Sequence, residues 1–351
     1  MGGTGRLAGA RVLVTGGCGL IGSRIGSLLR QHGASPVALD RLDAYSFDYA
    51  TMFGAHDVYD EVLSGSVADP VLVSRAMRRA DYVIHAAAYA DVAACTANAE
   101  ESMITNILGT QVVLEEVLNA RPRRFIFVSS ASIYGNGPRP GAAQRWDEST
   151  PAAPISVYAN AKLWGEWQTR LQLQRTPVEH VSLRYFSVYG EPQVPKPGSH
   201  SWCVAWFGFH AASGLPMRLN HGGRQIRDFI HVDDVAAATV HALTASRAAN
   251  QVVNVGTGIP TSVADIAGVV AAEFPGAERI DTPGPAEDPM GGYADITRME
   301  RVLEYRPGIQ VGDGVRRYLT WLRTSQVLRT WMPTLLAGEQ PLAAVTANGG
   351  R

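Results

Sequence analysis

Three observations predict an α/β chain built on a doubly wound parallel sheet: a glycine-rich turn directly after an apolar strand, a repeated alternation of strand-like and helical patterns, and a return of both patterns after an irregular interlude. The turn is Thr15-Gly16-Gly17-Cys18-Gly19-Leu20-Ile21-Gly22, directly after Val12-Leu13-Val14. Strand-like runs stand at 11–15, 36–39, 61–64, 82–86, 125–129 and 181–185, with a last one at 252–255. Helical patterns cover 20–29, 70–78, 97–118, 157–173, 233–243 and 262–274, and a final helix runs through Trp321.

Each element has a local cause. At a helix N-terminus the unpaired N–H groups and the macrodipole favour an anion, provided no side chain holds it away. Gly16 permits the tight turn, Gly19 the approach of phosphates, and Gly22 the close packing of helix on strand. Gly33 stops the first helix. The second strand ends on Asp40, about 20 residues past the turn, where a carboxylate accepts a bond from an adenosine 2′-hydroxyl and repels a 2′-phosphate. That predicts NAD over NADP. Arg41 is the complication, because a guanidinium suits a 2′-phosphate. Asp69-Pro70 reads as an N-cap followed by proline in the first helical turn. Beyond about 191 Pro192, Pro195, Pro197 and Pro216 interrupt an aromatic stretch, 202–209, which reads as irregular and suited to a substrate-covering subdomain.

The expected organisation is a flexible 1–9, a dinucleotide-binding domain over 10–190, a smaller substrate-binding α/β subdomain over 191–330 from which 226–258 return to the first core, and a tail over 331–351. With 351 residues, 46% apolar and 18% charged, the chain has material for such a core. A net charge of −1 provides no basic field for nucleic acid and no polybasic membrane signal, so the expected partner is a small molecule. No apolar run approaches the roughly 20 residues that cross a bilayer, and the first six residues lack a signal-peptide core, so a cytoplasmic protein is expected. Cys18, Cys95 and Cys203 have no metal spacing, and Cys18 reads as a small filler in the turn. No metal is expected. His85 reads as a packed strand-end histidine.

Tyr158 and Lys162 stand four apart in a predicted helix and therefore share a face. A phenol is a poor base near pH 7, but an adjacent ammonium and a cationic nicotinamide ring both favour its phenolate. Alone, the pair would suit any exposed helix face. Upstream, however, the apolar strand Phe125-Ile126-Phe127-Val128 delivers Ser129-Ser130-Ala131-Ser132 at its C-terminal end, the side on which open parallel sheets bind ligands.

With turn, serines and Tyr/Lys pair in this order, residues 9–322 resemble the extended branch of the short-chain dehydrogenase/reductase family, and its nucleotide-sugar epimerases above all. Further matching segments are His85-Ala86-Ala87-Ala88, Asn106 with Gly109-Thr110, Leu183-Arg184-Tyr185-Phe186, the run from Arg227 to Val235, and Asn254-Val255-Gly256-Thr257-Gly258. The resemblance implies a Rossmann-type nucleotide domain, Tyr158 as acid/base, Lys162 as its electrostatic partner and ribose ligand, and Ser130 as the hydroxyl orienting the substrate oxygen. It implies coenzyme contacts from Gly16, Gly19, Leu20, Ile21, Asp40, Ser66, Val67, Ala86, Ala87, Ala88, Asn106, Ser129, Tyr158, Lys162 and Tyr185. Substrate contacts fall to Ser130, Ser132, Ser187, Ser201, Arg218 and Arg227, with Arg224 near the last two. The implied cycle is oxidation of a sugar carbinol by NAD, rotation of the ketone and return of the hydride to its other face. A homodimer through the Tyr/Lys helix and the Asn106 helix is also implied, with Trp164 and Trp167 on exposed or partner-facing ground.

Departures from the family narrow this. Its dehydratases carry an acidic pair where Ala131 and Ser132 stand, and its decarboxylases a glutamate at Ser132. Ser187 and Ser201 replace asparagines that commonly hold a diphosphate, and Pro285-Ala286-Glu287-Asp288 occupies a stretch where an arginine is usual. Ser66 replaces an aspartate that contacts adenine. Arg227 is the expected phosphate ligand, the alternative being an ion pair with Asp228 or Asp233. The expectation is an NAD-dependent epimerase acting on a nucleotide-linked sugar. The alternatives are the same chemistry on a nucleoside monophosphate or sugar phosphate, a net dehydrogenase/reductase or a nucleotide-sugar decarboxylase, and, from another class, a nucleotide sensor, which has no use for Tyr158 and Lys162.

Overall fold

The computed structural model describes residues 7–45, 47–137, 144–196, 202–284, 290–326 and 330; Ser201, the 285–288 stretch and the tail expected at 331–351 lie outside the described residues. Seven strands form the central sheet: β1 (Arg11–Thr15), β2 (Ser35–Asp40), β3 (Glu61–Ser64), β4 (Tyr82–His85), β5 (Arg124–Ser130), β6 (Glu179–Tyr185) and β7 (Gln251–Val255). Their spatial order is β7-β6-β5-β4-β1-β2-β3, and every neighbouring pair is parallel. The chain steps outward from β1 to β3 and then crosses back to β4, so the order reverses between β1 and β4. A crevice opens there at the carboxyl ends of the strands. Thr15 is in register with both Leu39 and His85, which brings the ends of β1, β2 and β4 to one level. β4 is buried along its whole length and β5 at all but its last residue, as expected for strands covered by helices on both faces.

Observed boundaries differ from the predicted ones mainly by one to three residues, with two larger exceptions. The helix expected at 97–118 is broken into Val92–Ala97, Ala99–Met103, a π-helical turn Ile104–Leu108 and Gly109–Ala120. The break falls at Asn98, whose φ of −125° and ψ of 60° leave the helical region. The π turn coincides with Asn106, which spends its side-chain amide on the loop after β4. The second exception is the aromatic stretch, which forms a regular helix, Cys203–Ala212, buried from Val204 to Ala211. The prolines bound this helix instead of interrupting it. A helix apolar all round is a core element.

That helix packs in a second hydrophobic core with Ile266 and Val270 of the helix Val263–Glu273 and Tyr318, Leu319 and Leu322 of the helix Val311–Thr324. Met217–Asn220 pairs in parallel with Arg279–Thr282 beside it. Three further two-strand pairs were not legible in the sequence: Ser187–Tyr189 with Phe229–His231, Gln144–Trp146 with Gly292–Ala294, and Ile226–Arg227 with Thr261–Ser262. Leu7 is fully buried in the main core and Gly9 donates to the Gly33 carbonyl, so packed structure begins inside the segment expected to be flexible. No helix among the described residues is long and apolar enough to cross a membrane.

Candidate active site

The glycine turn is built for close approach. Gly16 has a φ of +69°, and a Cβ there would lie 2.8 Å from the Ala87 main chain; a Cβ on Gly22 would meet the Gly16 carbonyl at 2.2 Å. Above Gly19, by contrast, a Cβ would find only the Gly16 carbonyl at 3.5 Å, leaving room at the helix N-terminus for a phosphate. Gly16, Gly19, Leu20, Ile21, Asp40, Val67, Ala86, Ala87 and Ala88 all line one cavity of about 780 Å³. The residues present therefore fit a dinucleotide.

Asp40 accepts from the Cys18 N–H (3.0 Å), the Leu42 N–H (3.2 Å) and the Tyr49 hydroxyl (2.6 Å), which fixes the carboxylate under the turn. Arg41 is paired with Asp43 at 2.7 Å and with Glu101. Its guanidinium is thereby committed to two carboxylates, and the complication it posed for NAD over NADP falls away. Burial pushes the Cys18 thiol up to about 12, in keeping with an inert filler. His85 bonds Thr15 at 2.7 Å and Thr110 at 3.0 Å, and burial holds its imidazole down at about 3, so it is a neutral tie between elements.

Four side chains expected at the coenzyme do other work. The Asn106 carbonyl oxygen accepts from the Tyr89 N–H and its amide donates to the Tyr89 carbonyl, bracing the Ala86–Ala88 loop from behind. Ser129 donates to Glu166 at 2.5 Å, part of a buried network in which Arg184 binds both oxygens of Glu166 at 2.8 and 2.9 Å. The Tyr185 hydroxyl is buried against Thr239 at 2.6 Å. Ser66 accepts from the Ala68 N–H in a local turn. Asp69 caps its helix through the Val71 and Leu72 N–H groups, as its position before Pro70 requires.

At the end of β5 the structure brings three groups together. Tyr158 and Lys162 stand one turn apart on the helix Val157–Leu173, capped by Ser156. The Tyr158 phenol lies near enough to Ser130, the last residue of β5, for that hydroxyl to favour its ionised form. The Lys162 Nζ lies 5.8 Å from the Tyr158 ring centre and donates to the Val128 carbonyl at 2.8 Å; Val128 in turn lines the cavity. Burial pushes the phenol up to about 12, against a smaller downward effect of the Ser130 hydroxyl, and lowers the lysine to about 8. Ser132 donates its hydroxyl to Ser130 at 2.9 Å, so the two serines form one hydroxyl pair.

The expected substrate residues are more scattered. Ser187 opens the short strand beside Phe229–His231 and is half-buried. Arg218 and Arg224 are exposed. Arg227 is half-buried and its charge reaches Cys203, next to the cavity-lining Trp202. Its two suggested partners are engaged elsewhere: Asp228 accepts from Thr257, Gly258 and Ala294, and Asp233 pairs with Arg24 and Arg317. Glu191, His231 and Asp233 cluster closely enough for a cation, but Arg24 and Arg317 already neutralise both carboxylates.

Sequence reasoning missed Tyr45, Tyr49, Thr105, Gln193 and Lys196, all of which line the cavity. None belongs to the glycine fingerprint, and their approach is set by tertiary packing. The only hint was the density of aromatic residues between 45 and 53 just after Asp40.

The sequence profile described as the NAD dependent epimerase/dehydratase family matches residues 12–256. A putative UDP-glucose 4-epimerase of Methanocaldococcus jannaschii is 30% identical over 320 residues, 90% of this chain and 99% of that protein. A dTDP-glucose 4,6-dehydratase of Streptomyces niveus is 27% identical over 342 residues, covering 94% of this chain and 97% of the relative. Among solved structures, the UDP-glucose 4-epimerase of Thermotoga maritima with UDP-glucose superposes with a TM-score of 0.80 at 26% identity, covering 89% of this chain and 98% of that one.

Proposed function

The chain belongs to the NAD-dependent epimerase/dehydratase family, within the extended short-chain dehydrogenases/reductases, and from that premise we propose that it inverts a secondary alcohol of a nucleotide-linked sugar through a transient ketone. The observation that carries this reading is the meeting of Tyr158, Lys162 and Ser130 at the carboxyl end of β5, with Ala131 and Ser132 following in place of acids. A dehydratase must move extra protons to expel water, and neither an alanine methyl nor a hydroxyl bonded to Ser130 does so. The T. maritima structure holds a nucleotide sugar, which supports that substrate class here.

NAD, when bound in the Gly16–Gly19 cavity, supplies reversible hydride acceptance. The protein supplies the rest. Ser130 orients the substrate oxygen, Tyr158 takes its proton and later returns it, and Lys162 stabilises the phenolate and reaches toward the ribose. Asp40 takes the adenosine ribose, and Arg227 the substrate phosphate.

A second reading, the same chemistry on a substrate with a single phosphate, rests on a specific observation: Ser187 offers no amide, and Arg218 and Arg224 are exposed, which leaves Arg227 as the half-buried cation of that group. Proton NMR of nucleotide sugars and sugar phosphates incubated with the protein tests both. Interconversion of epimers without net NADH formation is expected for nucleoside diphosphate sugars. Inversion of monophosphates alone would establish the second reading, and stoichiometric NADH would overturn both.

The protein is further proposed to work as a cytoplasmic homodimer. Met103, Leu108, Trp167 and Leu171 are each at least half exposed, and Ile104, Ile107 and Trp164 line an adjoining groove, an apolar patch on the two helical regions that the family resemblance assigns to a partner copy. The three cysteines are unpaired, consistent with a reducing compartment.

A further inference from the structure

We propose that Lys196, contributed from the far side of the cavity after β6, is a coenzyme-binding residue whose ammonium neutralises the dinucleotide phosphates. This rests on the reading that the cavity over Gly16 and Gly19 holds NAD. The argument begins with charge. Among the described residues that line the cavity, the carboxylates are Asp40, Asp43 and Asp91 and the cations are Arg41 and Lys196. Arg41 is committed to Asp43 and Glu101. A pyrophosphate placed among three carboxylates is met by a helix N-terminus on one side, equivalent to about half a charge. The remaining cation is Lys196.

Its surroundings leave it able to donate. The Nζ stands 4.9 Å from the ring centre of Tyr45 and 6.0 Å from that of Trp202, contacts that hold an ammonium by its charge without using up its N–H donors. Burial lowers its proton affinity, and Asp91, Asp43 and Asp40 act on it through space in the opposite sense. The wall around it also contains unsatisfied polar atoms. The Oε1 of Gln193, a residue 4% exposed, and the Oγ1 of Thr105, 6% exposed, have no partner among the described residues, yet both residues line the cavity. Buried polar atoms are nearly always paired, and a dinucleotide's ribose hydroxyls and carboxamide would pair these.

The backbone that leads to Lys196 is anchored by the protein itself as far as Val194. Glu191 is held by Arg317 at 2.5 Å and His231 at 3.3 Å, the Gln193 carbonyl accepts from Tyr318 at 2.9 Å, and the Val194 carbonyl accepts from Tyr45 at 3.1 Å. Such preorganisation means that little ordering entropy is lost when the phosphates arrive. The coenzyme is thereby gripped from both halves of the chain.

The test uses the full chain freed of bound nucleotide, with ADP-ribose and adenosine as probes in calorimetric titrations. Lys196→Met keeps the stem that packs on Tyr45 and removes the charge. ADP-ribose affinity is expected to fall about tenfold or more, as for loss of a charge-assisted hydrogen bond, while adenosine affinity stays within about twofold; Lys196→Arg restores most of the loss. Unchanged ADP-ribose affinity, or an equal loss for both probes, would overturn the proposal. Unperturbed near-UV circular dichroism confirms that the variant is folded. If the unmutated protein binds neither probe, the reading of the cavity itself fails and the lysine's role falls with it.

Discussion

The ammonium of Lys162 is pinned beside Tyr158: its Nζ donates to the Val128 carbonyl at 2.8 Å and stands 5.8 Å from the phenol ring centre. The strand that carries Ser130 thus also sets the position of the charge that stabilises a phenolate. Burial is the main cause that pushes the phenol up to about 12 and the lysine down to about 8, so near pH 7 the phenol is neutral while the lysine keeps its charge. Positive charge must supply the opposing pull. Lys162→Met removes part of it, and the acid limb of the pH–rate profile is expected to move up by about one unit or more. A profile that scales down without shifting would make Lys162 a ribose ligand only.

Glu166 and Arg184 form the buried ion pair that Ser129 joins, with residue exposures of 4% and 7%. Glu166→Gln leaves a guanidinium buried without its counter-charge. A destabilisation of about 3–5 kcal/mol is expected in urea denaturation, the usual cost of breaking one side of such a pair. A loss below about 1 kcal/mol would show that Tyr134, which accepts from Arg184 at 2.8 Å, carries the charge unaided.

His85 gives a pH signature. Its folded pKa lies at about 3, below the ordinary 6.5, so between these values the unfolded chain binds more protons than the folded one. Its contribution to stability is present in full above pH 6.5 and is lost as the pH falls toward 3. Compared with His85→Gln, the wild-type protein is expected to lose melting temperature more steeply over that window. Parallel curves would contradict a buried neutral imidazole.

The apolar patch of Met103, Leu108, Trp167 and Leu171 predicts an assembly. Analytical ultracentrifugation is expected to show a dimer for the wild type and a monomer for Trp167→Glu combined with Leu108→Glu. A wild-type monomer at micromolar concentration would remove the second copy.

The legible and illegible parts of the molecule differ in physical kind. The helix Val157–Leu173 was readable to the residue because Ser156 caps it and its pattern is continuous. Several strands of the central sheet are apolar runs ended by a glycine or an acid, as at Thr15-Gly16, Leu39-Asp40 and Val255-Gly256. The Gly16 turn was readable because steric clearance admits only glycine there. Local pattern fails where packing decides. Cys203–Ala212 is buried nearly all round and has no polar face to betray its period. The π turn around Asn106 depends on a bond to Tyr89, 17 residues away. Ser129 stands among the candidate hydroxyls in sequence but points to Glu166, 37 residues on. Lys196 meets Tyr45 across 151 positions of chain, a proximity that no spacing rule encodes.

The central claim, that the Tyr158 phenol is the acid and base of the reaction, is tested most directly by the turnover of Tyr158→Phe measured on protein whose NAD content is determined in the same sample. The ring and its packing are kept and only the hydroxyl is lost. Turnover is expected to fall about 10²–10⁴-fold with NAD still bound, the range for removal of a general acid/base. Turnover within a few fold of the wild type would contradict the account.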